Sequence, residues 1–158
     1  MTVVYLSNCA VLNSAYNGAT MPIEERKKYK VFFIEDEPGI VELYEAAFSG
    51  SGFEIKSVTN GTDALTEITL FKKGREKKPD VIVSDILLPD ISGLEILKEI
   101  RNSHEFDQIP VIMLTNYGTN EIKQTIAKTP NARHVLKLDT TPYVFVSEVR
   151  KMMDLRSA

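Results

Sequence analysis

From Tyr29 onward, short runs of β-branched, aromatic and aliphatic residues recur at intervals too regular for an all-helical chain: Val31 to Glu35, Phe53 to Val58, Val81 to Asp85, Val111 to Thr115 and Arg133 to Lys137. A strand that alternates apolar and polar residues can leave one face in water. Val81-Ile82-Val83 and Val111-Ile112-Met113-Leu114 offer no polar face, so both sides of their sheet need helical cover. The intervening stretches supply it, each with a recognisable start. Pro38 stands in a first turn near Asp36 and Glu37, Asn60 or Thr62 precedes Ala64-Leu65, and Ser92-Gly93-Leu94-Glu95 reads as a capping box. Asn120 to Lys128 forms the most polar helix, and Thr141-Pro142 opens the last. Leu94, Leu97 and Ile100 share one helical face, and Val144, Val149 and Met152 are expected to share another. The alternation predicts βα units in an α/β fold, a doubly wound five-stranded parallel sheet sandwiched between helices.

A chain of 158 residues suits one such domain, with 43% hydrophobic and 26% charged residues. No apolar run approaches the roughly 18 residues of a membrane span, so no membrane partner is expected. The lone cysteine, Cys9, excludes an internal disulfide framework and suits a cytoplasmic location. A net charge of -3 does not favour direct nucleic-acid binding. The basic cluster Lys72, Lys73, Arg75, Lys77 and Lys78 lacks interleaved aromatics and reads as a solvated loop. Residues 1–28 read as a tail ahead of a domain spanning 29–156. Three accounts of the tail stand: it is disordered, it precedes a true start at Met21, or it is a docking segment.

In a doubly wound parallel sheet the carboxyl ends of the strands open on one edge, where ligands bind. Glu35 and Asp36 end the first strand, Asp85 the third, Thr115 the fourth and Lys137 the fifth. Three carboxylates gathered at one rim repel one another and need a cation. An all-oxygen set with room for water suits Mg²⁺ better than zinc or copper, and Lys137 adds counter-charge. Such a site suits acyl-phosphate chemistry, with Asp85 as nucleophile and Thr115 donating its hydroxyl to a phosphoryl oxygen.

The segments Val31-Phe32-Phe33-Ile34-Glu35-Asp36-Glu37, Val81 through Leu94, Ile109 through Thr115 and Leu136-Lys137 resemble the receiver domain of two-component response regulators, in order and at family spacing from Tyr29 to about Met153. The resemblance implies a flavodoxin-like fold with strand order 2-1-3-4-5. It implies a phosphoprotein that takes its phosphoryl group on Asp85 from a sensor histidine kinase or phosphotransfer protein, catalysing at most its own phosphotransfer and slow dephosphorylation. Asp36, Asp85 and the Leu87 backbone carbonyl would ligate Mg²⁺, with Glu35 acting through water. Thr115 and His134 would form the switch, and Lys137 would read the phosphorylated state. The downstream target would be a protein, and the face from the fourth to the fifth helix a candidate homodimer surface.

Four positions depart from the family pattern. Leu138-Asp139 follows Lys137 where a proline is usual, and Asn116 follows Thr115 where a small residue is common. His134 takes the place of the switch aromatic, and Leu87 stands where water-handling side chains often occur, which implies slow loss of phosphate. A pseudo-receiver, a binding module not regulated by phosphorylation, is the alternative reading. A flavin carrier is disfavoured because Glu35-Asp36-Glu37-Pro38 would repel phosphate, and an aspartate phosphatase because Leu87 occupies the place of its second acid. His104 reads as a solvated residue and His134 as a satisfied strand histidine.

Overall fold

The computed structural model describes residues 27–158. Cys9, Met21 and nearly all of the expected tail lie outside the described residues.

Five strands, β1 (Tyr29–Ile34), β2 (Phe53–Val58), β3 (Val81–Ser84), β4 (Val111–Thr115) and β5 (Ala132–Leu136), form one parallel sheet in the order β2-β1-β3-β4-β5. They alternate with α1 (Pro38–Gly50), α2 (Gly61–Lys72), α3 (Gly93–Arg101), α4 (Asn120–Lys128) and α5 (Pro142–Ser157). The pleat sends successive side chains of β1 to opposite faces. Val31 and Phe33 join Tyr44, Phe48, Phe145 and Val149 under α1 and α5, while Phe32 and Ile34 join Ile68, Ile96 and Ile100 under α2 and α3. Both faces are therefore dry, and β1, β3 and β4 are buried throughout except Lys30. Each fully buried large side chain contributes roughly 1.5–3 kcal/mol.

The helix starts follow the expected chemistry. Pro38 is in the first turn of α1, Ser92 and Glu95 close a reciprocal capping box on α3, and the Thr141 hydroxyl accepts from Val144 N at the start of α5. Asn60, not Thr62, caps α2, its side chain accepting from Asp63 N. The expected face of α5 is out of phase: Val144 is half exposed, and the buried stripe is Phe145, Val146, Val149, Arg150 and Met153. Val144-Phe145-Val146 is apolar at three successive positions, so its period does not fix which residue turns inward. His104 lies in a 3-10 turn beyond α3, exposed, 3.1 Å from Asp107. Among the described residues no helix is long and apolar enough to cross a membrane.

Candidate functional site

Three strands, β1, β3 and β5, end one residue before the side chains that matter, so Glu35, Asp85 and Lys137 stand just past the regular sheet rather than within it. Their backbones are still held. Glu35 N donates to Val58 O and Asp85 N to Ile34 O, continuing the ladder one step on either side of β1. Lys137 opens a 3-10 turn, Lys137–Asp139, where the fifth strand was expected to continue. Leu138, in the usual place of proline, projects into solvent from that turn.

Glu35, Asp36 and Asp85 each offer a carboxylate oxygen to a common point, the oxygens within 4.8 Å of one another. Lys137 reaches across β4 to the same point. Its Nζ lies 2.5 Å from Asp85 Oδ2 and 2.6 Å from Glu35 Oε2, and all three side chains are more than nine-tenths buried. Asp85 Oδ1 accepts from Ile86 N and Leu87 N, which leaves Oδ2 facing the ammonium. Glu35 Oε2 meets the ammonium at ion-pair distance but without a directed hydrogen bond, and remains a buried, unsatisfied acceptor.

The charge balance is incomplete. One ammonium against three carboxylates leaves two negative charges in excess. Burial pushes the Glu35 carboxyl above its usual range, against the pull of Lys137, and the neighbouring Asp85 adds to the rise. Burial alone would lower the Lys137 ammonium, but the hydrogen bond to Asp85 and the close negative charge of Glu35 outweigh it and hold the group above its ordinary value. An all-oxygen cluster with surplus negative charge and an unsatisfied inward acceptor fits a hard divalent cation.

The remaining expected residues stand at the end of β4, on the loop after β3 and within β5. Thr115, fully buried, ends β4 between Asp85 and Lys137 in strand order, and its Oγ1 accepts from Tyr117 N. Leu87 follows two residues after Asp85 with its side chain exposed. His134 is not the satisfied histidine expected: its Nε2 is buried without a partner. A Cβ built on Gly118 would come within 2.6 Å of that nitrogen, so the missing side chain makes room for the ring.

Sequence reasoning missed two supports. Gly93 packs so closely on the acidic strand end that a Cβ there would lie 2.0 Å from the Asp85 carbonyl oxygen, a contact the usual capping-box reading does not reveal. Asp90 accepts from Gly61 N, Thr62 N and the Thr62 hydroxyl, tying the loop after β3 to α2. Nothing in the sequence around Asp90 marks Gly61 and Thr62 as its distant partners.

Residues 31–146 match the family model described as the response regulator receiver domain. The phosphate regulon transcriptional regulatory protein PhoB of Rhizobium meliloti is 30% identical over 124 residues, which cover 78% of this chain and 52% of that protein. The chain thus spans about half the length of that relative. The polar-differentiation response regulator DivK of Brucella anthropi is 35% identical over 88 residues, 56% of this chain and 67% of its own length. In fold, the chain resembles the chemotaxis response regulator CheY4 of Vibrio cholerae, with a TM-score of 0.66 at 23% identity over 79% of this chain and 98% of that one.

Proposed function

Because the chain belongs to the response-regulator receiver-domain family, we propose that it is a phosphorylation-dependent signalling module that accepts a phosphoryl group on Asp85 and thereby switches a partner-binding surface. The observation that carries this reading is the convergence of Glu35, Asp36 and Asp85 with Lys137 at one edge of the sheet.

Asp85 Oδ2 attacks phosphorus, and the bond from phosphorus to its donor breaks as the donor leaves with the electron pair. The donor is a phosphohistidine on a sensor kinase or phosphotransfer protein. Ile86 N and Leu87 N hold the other Asp85 oxygen, which orients the nucleophile, and the Lys137 ammonium offsets charge on the incoming group. Asp36, Asp85 and the Leu87 carbonyl would hold Mg²⁺, with Glu35 acting through water, and the bound ion would supply neutralising charge for the transferring phosphoryl oxygens. The phosphoryl group adds roughly -1.5 to -2 charge and draws Thr115 and Lys137 inward, which biases α4, β5 and α5, with His134, toward a second packing. That surface, acting in the cytoplasm, selects a protein target or a second copy of the chain.

Incubation with Mg²⁺ and acetyl phosphate should add the mass of one phosphoryl group to the wild-type protein and none to Asp85→Asn. A wild-type protein that gains no mass under these conditions would make the chain a pseudo-receiver.

A further inference from the structure

The loop from Asp85 to Ser92 carries the Leu87 carbonyl, yet Leu87 itself has little to hold it. Its side chain is exposed, and its N–H is spent on Asp85 Oδ1. On either side of it Ile86 is buried with its carbonyl accepting from Gly93 N, and Leu88 packs on the core; what remains to be held is the far end of the loop.

Asp90 fixes it. Its carboxylate accepts from Gly61 N at 2.7 Å, Thr62 N at 2.8 Å, the Thr62 hydroxyl at 2.5 Å and its own neighbour Ile91 N at 2.8 Å. The first N–H groups of a helix have no partner within it, so a carboxylate from 28 residues away serves as a tertiary cap on α2. The approach is possible only because position 61 is glycine: a Cβ there would lie 2.6 Å from Ile91 Cβ and 3.0 Å from Asp90 Oδ1. The Thr62 hydroxyl, followed by the backbone donors, holds the Asp90 carboxyl far below the usual carboxylate range, so the clamp is charged at neutral pH.

We propose that Asp90 is a positioning residue for the divalent cation: by clamping the loop onto the first turn of α2 it holds the Leu87 carbonyl where the cation needs it. The inference rests on the reading of Glu35, Asp36 and Asp85 as a Mg²⁺ site. It assigns the α2 terminus a role in ion affinity beyond its role in helix stability. Changing an outer residue that orients a metal ligand typically costs roughly 10–100-fold in metal affinity.

Calorimetric titration of the whole chain with MgCl₂ separates the possibilities. Asp90→Ala should weaken Mg²⁺ binding about tenfold. Thr62→Val, which keeps the Asp90 charge and removes one of its donors, should weaken it about two- to threefold. Asn60→Ala breaks the local cap on Asp63 N without touching the loop, so it should lower the Tm yet leave Mg²⁺ affinity at the wild-type value. If Asp90→Ala does not fold, Thr62→Val decides alone. Wild-type affinity in both Asp90→Ala and Thr62→Val, or in Thr62→Val alone, overturns the positioning role and leaves the Mg²⁺ site intact. A loss in Asn60→Ala as large as in Asp90→Ala overturns it too, because the effect would then be general to α2. A wild-type protein that binds no Mg²⁺ overturns the receiver reading itself.

Discussion

Replacing Lys137 with methionine keeps the length of the side chain and removes its charge, which isolates what the ammonium does in the folded state. Lys137, Glu35 and Asp85 are each more than nine-tenths buried, and the ammonium is within 2.6 Å of both carboxylates. Removing one partner of a buried ion pair leaves an uncompensated charge and costs about 3–5 kcal/mol. In a domain of this size that corresponds to a Tm lowered by about 10–20 °C. The sign with pH follows from the direction of the shift. The Lys137 ammonium is held above its ordinary value, so its contribution is whole below about pH 10 and fades only as pH rises through the raised pKa. The stability gap between variant and wild type should narrow in acid as Glu35, whose carboxyl burial has already raised, takes up a proton. A divalent cation should close much of the gap at neutral pH, since the variant presents three uncompensated carboxylates to it. Urea denaturation followed by circular dichroism, in EDTA and in Mg²⁺, measures each quantity. A variant as stable as wild type in EDTA, or one that Mg²⁺ stabilises no more than it stabilises wild type, would refute the electrostatic reasoning.

Further consequences concern the supports of the site. Gly93→Ala forces a methyl group into the Asp85 carbonyl oxygen and should cost about 1–3 kcal/mol, read by urea denaturation. Gly118→Ala should expel the His134 ring from its slot, visible as a changed imidazole resonance in NMR spectra, whereas an unchanged resonance would show that the ring does not depend on that space. The Asp90 carboxyl is held below its ordinary range, so its stabilisation is present above about pH 4 and is lost as pH falls through the depressed value. Acid unfolding should accordingly be steeper below about pH 4 in wild type than in Asp90→Ala.

The parallel sheet was legible because Val81-Ile82-Val83 and Val111-Ile112-Met113-Leu114 admit only a strand buried on both faces, and because Ser92 and Glu95 mark a helix start unambiguously. Glu35, Asp85 and Lys137 could be placed at one rim from strand ends alone, since a parallel sheet leaves its carboxyl ends no other exit. Strand ends could not be located to the residue. Lys137 turns out to open a 3-10 turn, as nothing in Leu136-Lys137-Leu138 marks where pairing with β4 stops. Contacts set by tertiary approach were invisible for a different reason. Arg150 is buried with its guanidinium 4.9 Å from the Tyr29 ring and 5.7 Å from that of Phe53, although its charge suggests an outward position. Arg101, on α3, donates to the carbonyls of Phe106, Ile109, Pro130 and Asn131, partners that only the folded chain brings together.

Backbone NMR during a magnesium titration probes the acidic cluster directly. Saturable shifts centred on the amides of Asp36, Asp85 and Leu87, abolished in Asp36→Asn, are the outcome expected of three carboxylates sharing one ion. Spectra in which those amides stay where they were would contradict the account, even with the fold intact.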